Sequence, residues 1–308
     1  MSRMLEPQQI QASSTAPDFF NLPPPDLFGH RAARLHALAA GHPLGDYLNL
    51  VGDLCQVQQS LLDQPPAAPT PNPDRLLLCQ QHGLPPLAFD SLVRDGAWQP
   101  WLEALLLRYS RPAQPAVQQA LATLHDAAAD QRKVWALALL SGQYASVPSA
   151  LVPFLGAALQ AAWCHWLLDM PSLALTPCSS LSQCPACGSP AMAGVIRHRG
   201  NQAGLRYLVC SLCTCQWHVV RVKCIYCDQS QGLQYTSLAT DRHGPGQAPL
   251  RAESCPHCHS YLKLVYLEHD ASAEALSADL ATLALDLRLD QEGYLRQAPN
   301  LLLAPGNA

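Results

Sequence analysis

The chain reads Cys184-Pro185-Ala186-Cys187, Cys210-Ser211-Leu212-Cys213, Cys224-Ile225-Tyr226-Cys227 and Cys255-Pro256-His257-Cys258 in its C-terminal half. Two residues between cysteines allow a tight turn, or knuckle, that presents both sulfurs to one ion. Backbone N–H groups of such a turn can also point at the thiolates and spread their charge. Because two knuckles complete a tetrahedron, the four pairs predict two tetrahedral metal sites.

The pairing of the knuckles follows from the lengths that separate them. Sequential pairing closes each site through a predicted pair of antiparallel strands, and short antiparallel connections are common, so we favour it. Interleaved pairing stays possible because only residues 214–223 separate the second and third pairs. In the sequential arrangement the ligands are Cys184, Cys187, Cys210 and Cys213 at site 1 and Cys224, Cys227, Cys255 and Cys258 at site 2.

Further polar residues lie close to these pairs. Gly188 follows the first pair and suits its turn because glycine tolerates positive φ, whereas Thr214, Asp228 and His259 stand at the equivalent positions. Cys215 lies two positions beyond the second pair, which argues against its joining the same knuckle, so we expect a non-ligand role. The roles of Cys178 and His218 are left open by the sequence.

The identity of the ion is not decided by four thiolates, which suit zinc and mononuclear iron equally well in geometry. The local charge is more informative. Residues 184–263 hold eight Lys or Arg and three acids, a surplus of five positive charges. Two M²⁺(Cys⁻)₄ centres contribute about −4 and neutralise most of it, which argues against binding of nucleic acid.

Composition narrows the class of protein. The 308 residues are 49% hydrophobic and 14% charged, with a net charge of −4 and thirteen cysteines. No apolar run follows the basic residue near the start, so we expect no secretory signal and a reducing compartment, where clustered cysteines more often bind metal than form disulfides. The apolar stretch 150–168 is better explained as a buried core helix than as a membrane span.

The predicted fold class is α+β. Helical periodicity dominates residues 26–177, after an extended or disordered arm over 1–25. Strand patterns over 178–268 predict two small rubredoxin-like, or zinc-ribbon-like, β units at about 184–213 and 224–263. A helix from Ser272 to about Glu292 and an irregular tail occupy 269–308. No nucleophile–base pair, phosphate-binding loop or open three-ligand metal site is visible, which predicts that the chain is not an enzyme.

Several motifs in order resemble the FdhE family of formate dehydrogenase accessory proteins. They are Cys184-Pro-Ala-Cys-Gly-Ser, Gly204-Leu-Arg-Tyr-Leu-Val-Cys-Ser-Leu-Cys, Trp217-His-Val-Val-Arg-Val-Lys-Cys, Glu253-Ser-Cys-Pro-His-Cys, Asp279-Leu-Ala-Thr-Leu-Ala-Leu-Asp and Gln291-Glu-Gly-Tyr. The likeness covers about 120 residues closely, and the eight paired cysteines match the family's motifs one by one. Residues 228–250 match least.

The resemblance implies a cytoplasmic protein with a helical N-terminal domain and rubredoxin-like sites that hold two mononuclear iron ions, with zinc as the alternative occupant. It also implies contact with the catalytic subunit of respiratory, molybdenum-dependent formate dehydrogenase before export of that enzyme, and a need for the protein in that enzyme's activity. Two alternatives stay open: a zinc-ribbon nucleic-acid binder and a small iron electron-transfer protein.

Overall fold

Most of the helices lie in the first half of the chain and most of the strands in the second. The computed structural model describes residues 17–109, 114–170, 175, 180–198, 203–238, 246–298 and 300–303. In these ranges the helices are α1 (Leu27–Ala39), α2 (Gly45–Asp63), α3 (Pro73–Gln81), α4 (Phe89–Asp95), α5 (Gln99–Arg108), α6 (Pro115–Asp126), α7 (Ala129–Leu140), α8 (Val152–Asp169), α9 (Ala275–Leu280) and α10 (Leu283–Gln291). The strands are β1 (Phe20–Asn21), β2 (Ala191–Ile196), β3 (Arg206–Cys210), β4 (Gln216–Val219), β5 (Gln234–Thr236), β6 (Leu250–Cys255), β7 (Ser260–Tyr266) and β8 (Leu295–Arg296). The predicted α+β class is therefore confirmed.

Helix α8 is the centre of the helical region. The span Ser149–Asp169 is long and apolar enough to cross a membrane, but 89% of its most hydrophobic window is buried inside the protein. It packs against α2, α5 and α7, as a hydrophobic-all-round helix must in a protein core. Its buried polar groups have partners: Gln160 bonds to neighbouring elements, and the Trp163 indole N–H donates to the carbonyl of Leu87 at 2.9 Å.

One sheet contains both cysteine-rich units. Its strand order in the described residues is β1-β4-β3-β2-β7-β6-β5, and β8 also pairs with β7. Strands β2 and β7 run parallel, with Gly194 opposite Leu264, and this pairing joins the first unit to the second. The sheet therefore sets the relative position of the two units through backbone hydrogen bonds.

Two details of the strands differ from the sequence prediction. Alternating apolar residues predict that Trp217, Val219 and Val222 form the small core of this unit. Trp217 and Val219 are buried, but β4 ends at Val219 and the side chain of Val222 is 55% exposed, so the prediction for Val222 is wrong. Strands β1 and β8 are only two residues long, too short for periodicity to indicate them. Strand β1 pairs with β4 and lies in the described part of the predicted arm; residues 1–16 of that arm lie outside the described residues.

The predicted C-terminal helix is two helices, because the chain leaves the helical conformation at Thr282 (φ −128°, ψ 35°). The buried Lys263 ammonium stabilises the break by donating to the carbonyls of Asp279 and Thr282, both at 3.1 Å. Lys263 and Arg296 also pair with Asp279 and Asp286. Burial alone would raise the pKa of Asp279, but Arg296 and Lys263 hold it below its ordinary value.

The C-terminal region also completes the helical core. The fully buried guanidinium of Arg31 on α1 lies 3.1 Å from the carboxylate of Glu274, which caps α9. The Tyr47 hydroxyl on α2 donates to the carbonyl of Leu302. The Arg31–Glu274 ion pair therefore connects α1 to the C-terminal region. Removal of either residue would leave the other charge buried and unpaired, which is strongly destabilising.

We expect Gly156→Ala in α8 to lower the free energy of unfolding by about 1–3 kcal/mol, as overpacking does. A Cβ atom on Gly156 would lie 2.1 Å from the carbonyl oxygen of Leu301, so the C-terminal segment would have to move. The control is Gly29→Ala in α1, where the new Cβ meets only Gln59 at 3.6 Å and the change should stabilise by up to about 1 kcal/mol. Denaturant unfolding measures both, and equal effects would contradict the close packing at Gly156.

Candidate metal centres

Site 1 brings together the first and second cysteine pairs. The sulfurs of Cys184, Cys187, Cys210 and Cys213 all lie within 4.8 Å of one another, and all four residues are buried. Cys184 and Cys213 are 3.5 Å apart at Sγ, and Cys187 and Cys210 are 3.4 Å apart. A tetrahedral ion with metal–sulfur bonds of about 2.3 Å needs sulfurs about 3.8 Å apart. The two separations at site 1 are slightly shorter than this, so the cluster has nearly the size that such an ion requires.

Site 2 brings together the third and fourth pairs in the same way. The sulfurs of Cys224, Cys227, Cys255 and Cys258 lie within 4.8 Å of one another. The Cys224–Cys258 and Cys227–Cys255 sulfurs are each 3.6 Å apart, and Cys227 and Cys258 are partly exposed. The grouping of the sulfurs is thus the sequential one, and the interleaved arrangement is not the one that the structure has.

The residue after each knuckle has left-handed backbone. The φ angles are +76° at Gly188, +61° at Thr214, +66° at Asp228 and +51° at His259. At this position the chain turns back, so that the N–H of the residue after the knuckle can reach the first cysteine: the Gly188 N–H donates to the carbonyl of Cys184 at 2.9 Å. The sequence indicated this backbone only at Gly188, since the other three positions carry side chains that disfavour it.

Site 1 lies between the helical region and the sheet. The backbone N–H of Leu87 donates to the carbonyl of Ala186 at 2.8 Å, inside the first knuckle. The side-chain amide of Gln160 on α8 donates to the carbonyl of Ser211 at 2.8 Å, inside the second. Both knuckles of site 1 are therefore hydrogen-bonded to the helical region, which explains why all four of their sulfurs are buried.

Arg206 connects the two sites. It lies on β3, which leads into site 1, and its buried guanidinium is 2.9 Å from the carboxylate of Glu253. Glu253 stands two residues before Cys255, and the same guanidinium donates to the carbonyl of Lys223, directly before Cys224, at 3.1 Å. One side chain thus holds both knuckles of site 2 against the strand that carries site 1.

A fifth cysteine lies at site 1. The buried Sγ of Cys215 is 3.3 Å from that of Cys184 and 3.4 Å from that of Cys213. Cys215 lies beside this knuckle despite its spacing, because the left-handed turn at Thr214 folds the chain back toward the sulfurs. Its non-ligand role stays a prediction.

The other neighbours of the knuckles have different surroundings. His218 lies on β4 with its ring edge against Tyr207, the ring centroids being 5.6 Å apart, and burial lowers its pKa. His257 and His259 are exposed. Cys178 lies outside the described residues.

The donor set fits a thiophilic cation. Burial raises the pKa of the Cys184 and Cys187 thiols, so without a cation these groups favour the protonated form. A bound cation reverses this preference because it attracts the thiolates directly. Four sulfurs and no oxygen suit zinc or iron and do not suit magnesium or calcium. The N–H groups of Ala186 and Leu212 also point at sulfurs of site 1, at 3.4 and 3.3 Å.

The strained backbone at His259 gives a direct test of the knuckle geometry. His259 is exposed, and its ring contact with Tyr294, at 6.0 Å between centroids, is lost equally in the glycine and alanine variants. We expect His259→Gly to be at least as stable as the wild type, and His259→Ala to be less stable than the glycine variant by about 1–2 kcal/mol, the cost of left-handed backbone for a residue with a Cβ. Thermal unfolding of the zinc-loaded proteins measures the difference. An alanine variant as stable as the glycine variant would exclude the left-handed turn.

Known proteins match this sequence over nearly its whole length. Models of the FdhE N-terminal, central and C-terminal domains match residues 16–180, 183–221 and 222–303. The chain is 60% identical to a protein named "Protein FdhE homolog" from Pseudomonas putida, over 99% of this chain and 96% of the relative. A relative of the same name from Pseudomonas aeruginosa is 57% identical over 99% of both chains.

A solved structure has the same fold. The crystal structure of the FdhE protein from Pseudomonas aeruginosa superposes with a TM-score of 0.90 at 56% sequence identity, and the match covers 94% of this chain and 100% of that one. Three domain models in order, relatives matched over nearly their full length and a shared fold agree with the motifs around the cysteines. The chain belongs to the FdhE family.

Proposed function

We propose that this protein is an accessory factor for the assembly, maturation or activation of respiratory, molybdenum-dependent formate dehydrogenase, and that it binds the catalytic subunit of that enzyme in the cytoplasm. Membership of the FdhE family supports the choice of client. The observation that carries the non-catalytic role is that each site is a closed set of four protein sulfurs. Catalytic zinc sites keep a position open for water or substrate, whereas structural sites are closed.

The proposed ligands are Cys184, Cys187, Cys210 and Cys213 at site 1 and Cys224, Cys227, Cys255 and Cys258 at site 2. We propose iron at both sites, with zinc as the alternative occupant. Iron would supply one-electron redox chemistry there, and zinc would supply shape alone. The protein's own residues bury the sulfurs of site 1 and leave part of site 2 at the surface.

The proposed domain division is an arm over 1–25, a helical domain over 26–177, two metal-binding modules within 178–268 and a C-terminal helical segment and tail over 269–308. The match to the FdhE N-terminal model ends at residue 180 and the central model begins at 183, which supports a boundary before the first knuckle. The central model ends at 221 and the C-terminal model begins at 222, which supports the separation of the two modules. The burial of α8 inside the helical region supports a protein that does not insert into a membrane.

Site 2 and its surroundings are the surface that we propose the client contacts. Cys227 and Cys258 are partly exposed, whereas every ligand of site 1 is buried. This exposure also favours a second candidate function, electron delivery to the client, because an exposed thiolate shortens the path from an iron ion to a bound partner. Redox titration of the iron-loaded protein, followed by mixing with the client, separates the two functions: reduction of the client supports electron delivery.

The nucleic-acid alternative is disfavoured by the contacts of the basic residues. Arg206 and Lys263 are buried in ion pairs, and Lys223 lies 2.7 Å from Asp228. Arg197 bonds to Gln216 and is partly buried. These cations stabilise the modules themselves, which leaves less positive surface for phosphate groups. A salt-dependent shift of labelled single-stranded DNA by the purified protein would revive this alternative.

The full-length chain, used as bait in cells that make the respiratory enzyme, should retrieve that enzyme's catalytic subunit. We expect Cys227→Ser, which removes a ligand from site 2, to reduce the amount retrieved several-fold. The matched control is Cys79→Ser, the same substitution at a partly buried cysteine of α3 outside both sites, and it should leave capture unchanged. Quantitative mass spectrometry measures the captured subunit. Its absence under both reducing and oxidising conditions would reject the proposal.

Metal analysis of protein purified without oxygen should find two ions per chain. Iron at both sites should give a ferric–thiolate absorption band that dithionite bleaches reversibly, because reduction removes the charge-transfer transition. A strong chelator should remove the ion of site 2 first, since its sulfurs are partly exposed and those of site 1 are not. Two zinc ions and no iron in native protein would exclude electron transfer and leave the structural role intact.

A further inference from the structure

Cys215 contacts most of site 1 although it belongs to none of the four Cys-x-x-Cys pairs. Its Sγ lies 3.3 Å from that of Cys184 and 3.4 Å from that of Cys213, and it also interacts with that of Cys210. These distances equal those between the site 1 sulfurs themselves, such as 3.4 Å from Cys187 to Cys210. The buried sulfur of Cys215 is therefore as close to the sulfurs of Cys184 and Cys213 as the neighbouring sulfurs of site 1 are to one another.

The contacts of Cys215 define a second set of four sulfurs. Cys184, Cys210 and Cys213 form a triangular face that interacts with Cys187, and the same three sulfurs interact with Cys215. A tetrahedron can be completed on this face by either remaining cysteine. To change from the set with Cys187 to the set with Cys215, an ion would pass through this triangular face. The backbone that carries the three shared ligands would keep its position.

Local structure holds Cys215 in this position. The backbone N–H of Cys210 donates to the carbonyl of Cys215 at 3.0 Å, which ties its backbone to the second knuckle. Thr214, between Cys213 and Cys215, has left-handed backbone, and its hydroxyl donates to the carbonyl of Cys213 at 2.7 Å. A β-branched residue in this conformation is costly, so the surroundings must hold it there.

Site 2 differs in this respect and supplies the comparison. Among the residues that the structure describes, the cysteines outside the two sites are Cys55, Cys79, Cys164 and Cys215. The first three lie on α2, α3 and α8 of the helical region. Among these four described cysteines, only Cys215 has its Sγ in contact with sulfurs of either site. The two sites therefore share the same four-cysteine pattern and differ in this fifth sulfur.

We propose that Cys215 is a fifth thiolate donor of site 1 and takes the place of Cys187 as the fourth ligand when that ligand is lost. This inference rests on the proposed metal binding at site 1. When the ligands exchange, one metal–sulfur bond forms as another breaks and one proton passes between the two sulfurs, so the charge of the centre is unchanged. Site 1 then keeps its ion after a loss that empties site 2.

The test compares ion counts in full-length chains loaded with zinc, and the absorption of the same chains loaded with cobalt(II). Cys187→Ser should bind two ions per chain, with a cobalt–thiolate band as strong as that of the wild type, because four sulfurs still surround the ion. Cys187→Ser combined with Cys215→Ser should bind one. Cys227→Ser, the matched single change at site 2, should also bind one, and Cys215→Ser alone should bind two.

A Cys187→Ser chain that binds only one ion, as Cys227→Ser does, would overturn the inference. A wild-type chain that binds no ion at site 1 would overturn both this inference and the metal-site proposal, whereas two ions in the wild type and one in Cys187→Ser would overturn this inference alone.

A second measurement does not depend on the folding of Cys187→Ser. In Cys215→Ser, loss of zinc from site 1 to excess chelator should be several-fold faster than in the wild type, because a dissociated ligand is no longer replaced. Loss from site 2 should be unchanged. Equal rates at site 1 would show that Cys215 only fills space.

Discussion

Four sulfurs packed in the interior at site 1 are the constraint on which the arrangement of this protein depends. Buried thiols this close together stabilise one another little, whereas a thiophilic cation would bind all four as thiolates and hold them strongly together. The helical region supplies hydrogen bonds to one side of this cluster, and the knuckles beside the sheet supply the sulfurs on the other. In small metal-binding domains the free energy of metal binding is largely free energy of folding, and an ion bound at site 1 would be coupled to folding in the same way because the site lies in the core.

The two sites share a ligand pattern but have different environments. Site 1 lies in the core between the helical region and the sheet, where a bound ion would be shielded from solvent. Site 2 lies at the far part of the sheet and exposes two of its sulfurs. Arg206 connects them through a buried ion pair and backbone carbonyls, so the exposed site has a fixed position relative to the buried one. A rigid core with an exposed centre is a suitable frame for presenting a surface to a partner protein.

Much of this was accessible from the sequence, for reasons that particular residues show. Cys-x-x-Cys spacing predicts a knuckle because two intervening residues suffice for the turn, and helical periodicity indicates α1 and α2 because their apolar stripes are long. The break at Thr282 was not accessible, since it depends on Lys263, which arrives from a distant strand. The place of Cys215 was missed for a similar reason: Thr214 carries a β-branched side chain, which gives no sign of left-handed backbone.

The contacts between the two ends of the chain bear on the order in which the molecule is made. The carbonyl of Leu301 packs against Gly156 of α8, and Tyr47 of α2 donates to the carbonyl of Leu302, so the helical region lacks part of its core until residues 301 and 302 are present. A ribosome delivers these residues long after it has made α2 and α8. The helical half must therefore wait in an incompletely packed form, with apolar surface exposed, and chaperones protect such intermediates. The complete packing of the helical region therefore forms only after this C-terminal segment is present.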